Sequence, residues 1–187
     1  GGQIGADSAP GRGSRFWVVL PLAQGDTGMP ARSAAQDPLP DANAFASWLL
    51  ANRSGCHVLL AEDNTLNQEI ASELLQNVGL RVTIAQNGQE AVTMAGQAHF
   101  DLILMDLSMP VMGGLEAAAT IRTLPGQAAT PILALTANAF KEDRQRCLEA
   151  GMNDHLAKPV TPTTLYQALA RWLPGASPRP AQRRSTQ

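Results

Sequence analysis

Three acidic side chains and one lysine occupy positions from which they could act together. Glu62, Asp63, Asp106 and Lys158 each come at the end of a short apolar run. Runs of this length are typical of buried strands, and side chains at the carboxyl ends of parallel strands converge on one edge of a sheet. Three carboxylates gathered there repel one another unless a cation lies between them. The pattern therefore predicts a metal site that contains a potential nucleophile.

The predicted ligands of this site are all oxygen atoms. Such ligands favour Mg²⁺ or Mn²⁺ with waters completing the coordination, and the backbone carbonyl of Ser108 could supply one more. The ion would neutralise the carboxylates and hold a phosphoryl group against Asp106. Thr136 and Lys158 end two further strands, where a hydroxyl and an ammonium could contact phosphoryl oxygens. We therefore predict phosphoryl transfer to Asp106, because in-line transfer needs little beyond positioning and charge.

Strand and helix signals alternate through the central block that must position this site, residues 56–173. Five strands alternating with five helices favour a parallel sheet covered on both faces. The acidic residues can meet only if the first and third strands are neighbours, as in the order 2-1-3-4-5, whose switch point binds ligands. The predicted fold is α/β, a (βα)5 doubly wound parallel sheet of the flavodoxin type. The predicted strands are 57–61, 81–85, 102–106, 132–136 and 155–157, and the predicted helices are about 65–78, 89–98, 114–123, 141–150 and 161–173.

Composition argues against several other classes of protein. The chain has 187 residues, of which 44% are hydrophobic and only 4% aromatic, so its core must be aliphatic. A net charge of −2 gives no electrostatic case for nucleic acid or a membrane surface. There is no apolar run of the roughly 18 residues that suggest a membrane span, and the first residues do not resemble a signal peptide. Cys56 and Cys147 lack metal-ligand spacing, and we interpret them as free cytosolic thiols.

Two segments outside the block have the composition of connecting chain. Residues 23–55 are rich in Ala, Pro, Asp, Gln and Ser and are predicted to be a linker. Asp41 could cap a short helix within it. That helix would carry three apolar residues, Phe45, Trp48 and Leu49. These residues either dock on a surface or are exposed. Residues 174–187, with three prolines and three arginines, are predicted to be a disordered tail.

Several segments of the block resemble the signature of response-regulator receiver domains. The resemblance covers residues 56–173, and the segments 64–68 and 136–139 look most like receivers fused to hybrid histidine kinases. The segments that carry it are Glu62-Asp63-Asn64, Met105-Asp106-Leu107-Ser108-Met109-Pro110-Val111-Met112-Gly113-Gly114, Leu135-Thr136-Ala137-Asn138-Ala139 and Lys158-Pro159.

This resemblance implies a role for each site residue. Asp106 would accept a phosphoryl group from a phosphohistidine, and Thr136 and Lys158 would contact that group. The bond between Lys158 and Pro159 would be cis. The Mg²⁺ (or Mn²⁺) ligands would be Glu62, Asp63, Asp106 and the Ser108 carbonyl.

Two positions depart from the family pattern. His155 stands where stand-alone receivers often have an aromatic switch residue, so its coupling to Thr136 differs from theirs. Gly113 stands where the hybrid-type motif usually has Asp, which should change a turn and little else.

A conformational switch and a partner surface follow from the same resemblance. If Thr136 moves toward a phosphoryl group, Ala137 and Asn138 must follow. Phosphorylation would then shift the equilibrium between two conformations of the domain. Ser108 and Asn138 should set the lifetime of the acyl phosphate. A helical domain that carries the phosphohistidine should dock near the helix at 65–78, and we expect no contact of this fragment with nucleic acid or membrane.

The first 22 residues suggest a larger parent protein. The segment 11–16 and the apolar run after it resemble the last glycine box and final strand of a histidine-kinase ATP-binding domain. Residues 1–22 would be its C-terminal remnant, unable to bind ATP alone. None of the three histidines begins a helical motif of the kinase type. We therefore expect a cytoplasmic piece of a hybrid kinase that could be anchored in the inner membrane, with only its own phosphorylation and dephosphorylation as activity.

Two other functions compete with a phosphorelay receiver. A Mg²⁺-dependent aspartyl-phosphate hydrolase of the haloacid-dehalogenase type needs a second Asp two positions after the nucleophile, where this chain has Ser108. A receiver-like interaction module without phosphorylation would not need the site side chains, yet all of them are present. Phosphorylation by a small phosphodonor separates this last alternative from a receiver.

Overall fold

The structure, a computed structural model, describes residues 2–9, 13–19, 21, 42–137 and 141–173. The chain divides into two compact units, Gly1–Leu39 and Pro40–Gln187. Asn138, the predicted tail and most of the predicted linker lie outside the described residues. No helix of the described ranges is long and apolar enough to cross a bilayer.

The first unit contains a β-hairpin. Strand β1 (Gln3–Ala9) pairs antiparallel with strand β2 (Gly13–Val19). The predicted apolar strand corresponds to β2, but β1 was not predicted, because its sequence is rich in small and polar residues. The Trp17 ring lies so close to Gly5 that a side chain at Gly5 would collide with it.

The second unit contains a five-stranded parallel sheet. Its order is β4-β3-β5-β6-β7, which is 2-1-3-4-5 counted within this unit and confirms the predicted fold. The predicted strands are present, and the last one begins one residue earlier than predicted, at Asp154. The strands are β3 (His57–Ala61), β4 (Arg81–Ala85), β5 (Leu102–Asp106), β6 (Ile132–Thr136) and β7 (Asp154–Ala157).

Six helices accompany this sheet within the described residues, and five of them match the helices predicted for residues 56–173 to within two residues. The sixth, α1, precedes the first strand of the sheet and corresponds to the short helix predicted within the linker. The helices are α1 (Ala42–Arg53), α2 (Thr65–Asn77), α3 (Gly88–Gln97), α4 (Gly114–Thr123), α5 (Lys141–Glu149) and α6 (Pro162–Trp172).

The core lies on both faces of the sheet. Leu60 and Leu104 belong to a cluster that also receives side chains of α1, α2 and α6, whereas Leu59 and Ile103 belong to a second cluster beneath α3 and α4. Alternate residues of a strand point to opposite faces, so each strand supplies both clusters. Burial of one such side chain contributes roughly 1.5–3 kcal/mol. The core is mainly aliphatic, as predicted, and Phe100 is its largest fully buried residue.

Helix α1 lies inside the predicted linker and is packed on the sheet unit. Leu49 is fully buried in the first core cluster, and Phe45 packs against that cluster, whereas Trp48 is 40% exposed. Of the two alternatives for these apolar residues, docking is therefore correct for Phe45 and Leu49, whereas Trp48 is exposed. The compact unit begins before residue 56, the predicted domain start, because this contact joins residues far apart in sequence.

Candidate functional site

The topology brings the three predicted acidic residues together. β3 and β5 are neighbours, and their carboxyl ends carry Glu62, Asp63 and Asp106 to one edge of the sheet. One carboxylate oxygen of each lies within 4.8 Å of the others. Glu62 and Asp106 are buried, at 1% and 5% exposure, whereas Asp63 is exposed. Burial makes the mutual repulsion of these charges costly without a cation.

Lys158 supplies a cation at this position. Its Nζ lies 2.6 Å from Glu62 Oε2 and 2.6 Å from Asp106 Oδ2. Burial alone would lower the pKa of Lys158, but the hydrogen bonds and charges of Asp106 and Glu62 outweigh burial and raise it. The lysine therefore stays protonated between the two carboxylates.

The first turn of α2 orients Glu62. Asn67 donates from Nδ2 to Glu62 Oε1 at 2.9 Å, and Gln68 donates from Nε2 to the Glu62 carbonyl at 2.6 Å. The turn starts close to the strand end because the side chain of Asn64 caps the helix, accepting from the Asn67 N–H. This role of Asn67 was not predicted from the sequence. A polar residue five positions after a site carboxylate, on a capped helix, is the signal that could have found it.

The loop after Asp106 holds the carboxylate from the other side. The Ser108 N–H donates to Asp106 Oδ1 at 3.2 Å, which brings the Ser108 backbone to the site. Gly114 starts α4 against the end of β5, and a Cβ there would collide with the Asp106 carbonyl. Gly113 is the N-cap of α4 with φ −74°, so the missing Asp at this position leaves the turn in an ordinary conformation. Val111, between Ser108 and Gly113, has φ 67°, in the left-handed region that a β-branched residue rarely adopts.

The remaining predicted site residues lie on β6, β7 and the segments after them. Thr136 is 4% exposed and ends β6, next to β5 in the sheet. The Lys158 N–H donates to the Thr136 carbonyl at 2.8 Å, and the Lys158–Pro159 bond is cis, as the resemblance implied. Ala137 is exposed directly after Thr136. His155 of β7 pairs with Ala134 of β6, and the His155 Nδ1 lies 3.7 Å from Asp154 Oδ1.

This arrangement defines a class of protein. Three carboxylates, a lysine bound to two of them and a threonine at the neighbouring strand end lie at the switch point of a (βα)5 sheet. The chain belongs to the response-regulator receiver family, because the model of the response regulator receiver domain matches residues 58–170.

Relatives and solved structures agree with this assignment. Sensor histidine kinase AruS of Pseudomonas aeruginosa is 39% identical over 171 residues, which are 90% of this chain and 16% of AruS. The receiver domain of sensor histidine kinase PA1611, also from Pseudomonas aeruginosa, has a TM-score of 0.61 and 44% identity, covers 64% of this chain and 98% of its own, and has a magnesium ion in its active-site cleft. The receiver domain of Saccharomyces cerevisiae Ssk1, crystallised with the histidine phosphotransfer protein Ypd1, has a TM-score of 0.61 and 35% identity, and covers 64% and 90% of the two chains.

The chain is accordingly a phosphorelay receiver of the hybrid-kinase type. Neither alternative function, the hydrolase or the receiver-like module without phosphorylation, is favoured by these similarities. The chain spans 13% to 16% of the length of AruS and two other curated histidine kinases that it matches.

Proposed function

We propose that Asp106 accepts a phosphoryl group from a phosphohistidine, in a reaction that requires Mg²⁺ or Mn²⁺. The observation that carries this proposal is the ammonium of Lys158, 2.6 Å from both Glu62 and Asp106. This contact supports a site whose clustered carboxylates need cations around them. Lys158 would provide one cation beside Asp106, and the divalent ion would provide another. The family assignment supports the same chemistry.

The acidic residues suit a hard divalent ion. Glu62, Asp63 and Asp106 offer carboxylate oxygens within 4.8 Å of one another, and Ser108 could add its carbonyl. Two of the carboxylates already share one cation, the lysine ammonium. When bound, the ion would neutralise the carboxylates and polarise the phosphoryl oxygens.

The chain's own residues would do the rest by position and charge. One Asp106 carboxylate oxygen attacks phosphorus and forms the acyl phosphate, while the bond from phosphorus to the donor imidazole nitrogen breaks and its electrons return to the imidazole. Lys158 and Thr136 donate to the phosphoryl oxygens as their charge changes. Asn67 and Gln68 keep Glu62 oriented, so the charge of the site does not have to reorganise.

The partner in this proposal is a helical domain that carries the phosphohistidine and docks beside α2. Leu66 and Ile70 support this surface, because they are 63% and 48% exposed although they belong to the apolar stripe of the helix. Ile70 and Asn67 also line a small cavity together with Lys158. The complex of Ssk1 with Ypd1 supports a partner of this kind.

Regulatory and parent-protein roles are part of the same proposal. Movement of Thr136 on phosphorylation would carry Ala137 and Asn138 with it, and His155 would replace the usual aromatic switch residue. Residues 1–22 would be the end of a kinase ATP-binding domain. The β1–β2 hairpin and the match of AruS over 90% of the chain support this last point.

Intact mass spectrometry tests the phosphoacceptor. Incubation with acetyl phosphate and Mg²⁺ should add the mass of one phosphoryl group, and Asp106→Asn should abolish the addition. Asp101→Asn, a change of the same type at the opposite end of β5, is the matched control and should leave the addition intact. Labelling that persists in Asp106→Asn, or a wild-type chain that never reacts, would reject the proposal in favour of an interaction module without phosphorylation.

A further inference from the structure

Helix α1 is an addition to the common receiver fold. It ends at Arg53, before the segment 58–170 that the family model matches. Nevertheless, Leu49 is fully buried in the cluster that contains Leu165 and Leu169 of α6. The receiver of this chain therefore includes an extra helix seated on α6.

A short stretch of chain connects the site to the contact between α1 and α6. Lys158, which contacts both Glu62 and Asp106, is separated from the start of α6 only by residues 159–161. Within them, Val160 packs against the cluster that buries Leu49. A displacement of Lys158 is therefore passed to the first turn of α6 and to the side chains beneath α1.

A cavity gives this stretch of chain room to move. It has a volume of about 80 Å³ and lies between the site and the core cluster. Its walls include Glu62 and Lys158 from the site and Ala71 and Leu135 from the cluster. Its walls also include Ile70 and Pro159, which are exposed, so the cavity opens to solvent and leaves Lys158 and the residues after it room to shift.

The two ends of α1 are held differently. At its C-terminal end, Cys56 N–H donates to the Arg53 carbonyl at 3.1 Å and Gly55 N–H donates to the Gly79 carbonyl at 2.8 Å. Its N-terminal half borders an open groove of about 590 Å³, in which Phe45 faces α6 and β7. A movement of α6 would therefore turn α1 about its C-terminal end.

We propose that the packing of α1 on α6 loosens when Asp106 is phosphorylated. Through this change α1 would transmit the phosphorylation state of Asp106 to the domain that precedes the receiver. The inference rests on the proposed phosphorylation of Asp106. In the acyl phosphate Asp106 is no longer a carboxylate, and Lys158 exchanges that partner for phosphoryl oxygens. Leu49 of α1 is fully buried while Lys158 bridges Glu62 and Asp106, so a shift of α6 reduces the contacts of α1. The unphosphorylated and phosphorylated arrangements would therefore differ in contacts both at Lys158 and between α1 and α6, as coupling between sites requires.

Hydrogen exchange of the full chain tests the inference. Exchange of residues 42–53 is measured with and without excess acetyl phosphate and Mg²⁺, and intact mass is recorded on the same samples. We expect amides of 42–53 to exchange faster when the phosphoryl adduct is present, and Asp106→Asn to show no change. An adduct without faster exchange overturns the inference and leaves the proposed function standing. Absence of the adduct overturns both.

A variant of α1 gives the reciprocal test, because coupling acts equally in both directions. Phe45→Ala weakens the packing of α1 on α6 without changing a residue of the site. The control is Ser47→Ala, which changes an exposed position of the same helix. With Mg²⁺ present, Phe45→Ala should bind trifluoroberyllate, an analogue of the phosphoryl group, about fivefold more tightly than the wild type. Ser47→Ala should bind it with wild-type affinity. A thermal unfolding curve shows that Phe45→Ala is folded, and equal affinities of a folded Phe45→Ala and the wild type would refute the inference.

Discussion

Val111 combines exposure with an unfavourable backbone conformation in the loop that follows Asp106. It is 84% exposed and has φ 67°, so packing does not compensate for the strain of a β-branched residue there. Asn tolerates this conformation far better. We expect Val111→Asn to raise the free energy of unfolding by about 1 kcal/mol in urea titrations. Val111→Thr, which keeps the β-branch, is the control, and an equal gain in both variants would mean that strain at this residue is not the cause.

Lys158 contributes to stability as well as to the proposed chemistry. Lys158→Met leaves two buried carboxylates without their shared cation, and we expect the free energy of unfolding to fall by about 3 kcal/mol without divalent ions. Arg171→Met is the control, because Arg171 is 71% exposed at its ion pair with Asp154 and should cost less than about 1 kcal/mol.

The pH dependence of the Lys158 effect has a definite sign. Because folding raises the pKa of Lys158, its contribution is complete below the lysine pKa of the unfolded chain and disappears as pH rises through the folded pKa. The difference between wild type and Lys158→Met should therefore stay constant from neutral pH up to about pH 10 and narrow only above it. Urea titrations across this range measure it, and a difference that narrows on the approach to pH 9 would contradict the assignment.

At the scale of elements, the junction of β5 and α4 depends on two glycines with different requirements. A Cβ at Gly114 would collide with the Asp106 backbone, whereas a Cβ at Gly113 would meet the Leu107 carbonyl at 3.4 Å, in ordinary contact. Gly114→Ala should therefore cost about 2–3 kcal/mol and weaken Mg²⁺ binding, because α4 must move away from Asp106. Gly113→Ala should change both by little. Urea unfolding and calorimetric Mg²⁺ titration measure the two effects, and similar results for both variants would show that close packing at Gly114 does not position Asp106.

The sheet and its site could be predicted because the signals are local. Each strand is a short apolar run, and Asp106 and Lys158 are fixed at the edge of the sheet by where their strands end. The roles of Asn67 and Val111 could not be predicted in the same way, since they depend on a side-chain contact and a backbone angle that no spacing specifies. Helix α1 and strand β1 have weak patterns of their own. Helix α1 was predicted only as a short helix within a linker, because its packing against α6 joins residues far apart in sequence. Strand β1 was not predicted, because it depends on pairing with β2 rather than on an apolar pattern of its own.

At the scale of the whole molecule, the two compact units differ in how they are stabilised. The sheet unit has a closed core on both faces, whereas Ile4, Val18 and Val19 of the hairpin are 83%, 61% and 57% exposed. A hairpin alone is marginally stable in water. The apolar exposure fits the proposal that this hairpin is the end of a larger domain, within which these side chains would be covered.

The boundary of the receiver unit decides how a shortened chain behaves. A chain of residues 40–187 keeps α1 and its contact with α6, so its free energy of unfolding should equal that of the sheet unit in the full chain within about 1 kcal/mol. A chain of residues 56–187 loses Leu49, and its unfolding free energy should fall by about 3 kcal/mol or more, because a cavity at a buried leucine costs roughly 2–5 kcal/mol. Leu49→Ala in the longer chain should reproduce most of this loss, whereas Leu50→Ala, at a position that is 47% exposed, should not. Urea unfolding of the full chain and of these four variants provides the comparison. If 56–187 were as stable as 40–187, α1 would be an accessory of the connecting segment rather than part of the receiver core.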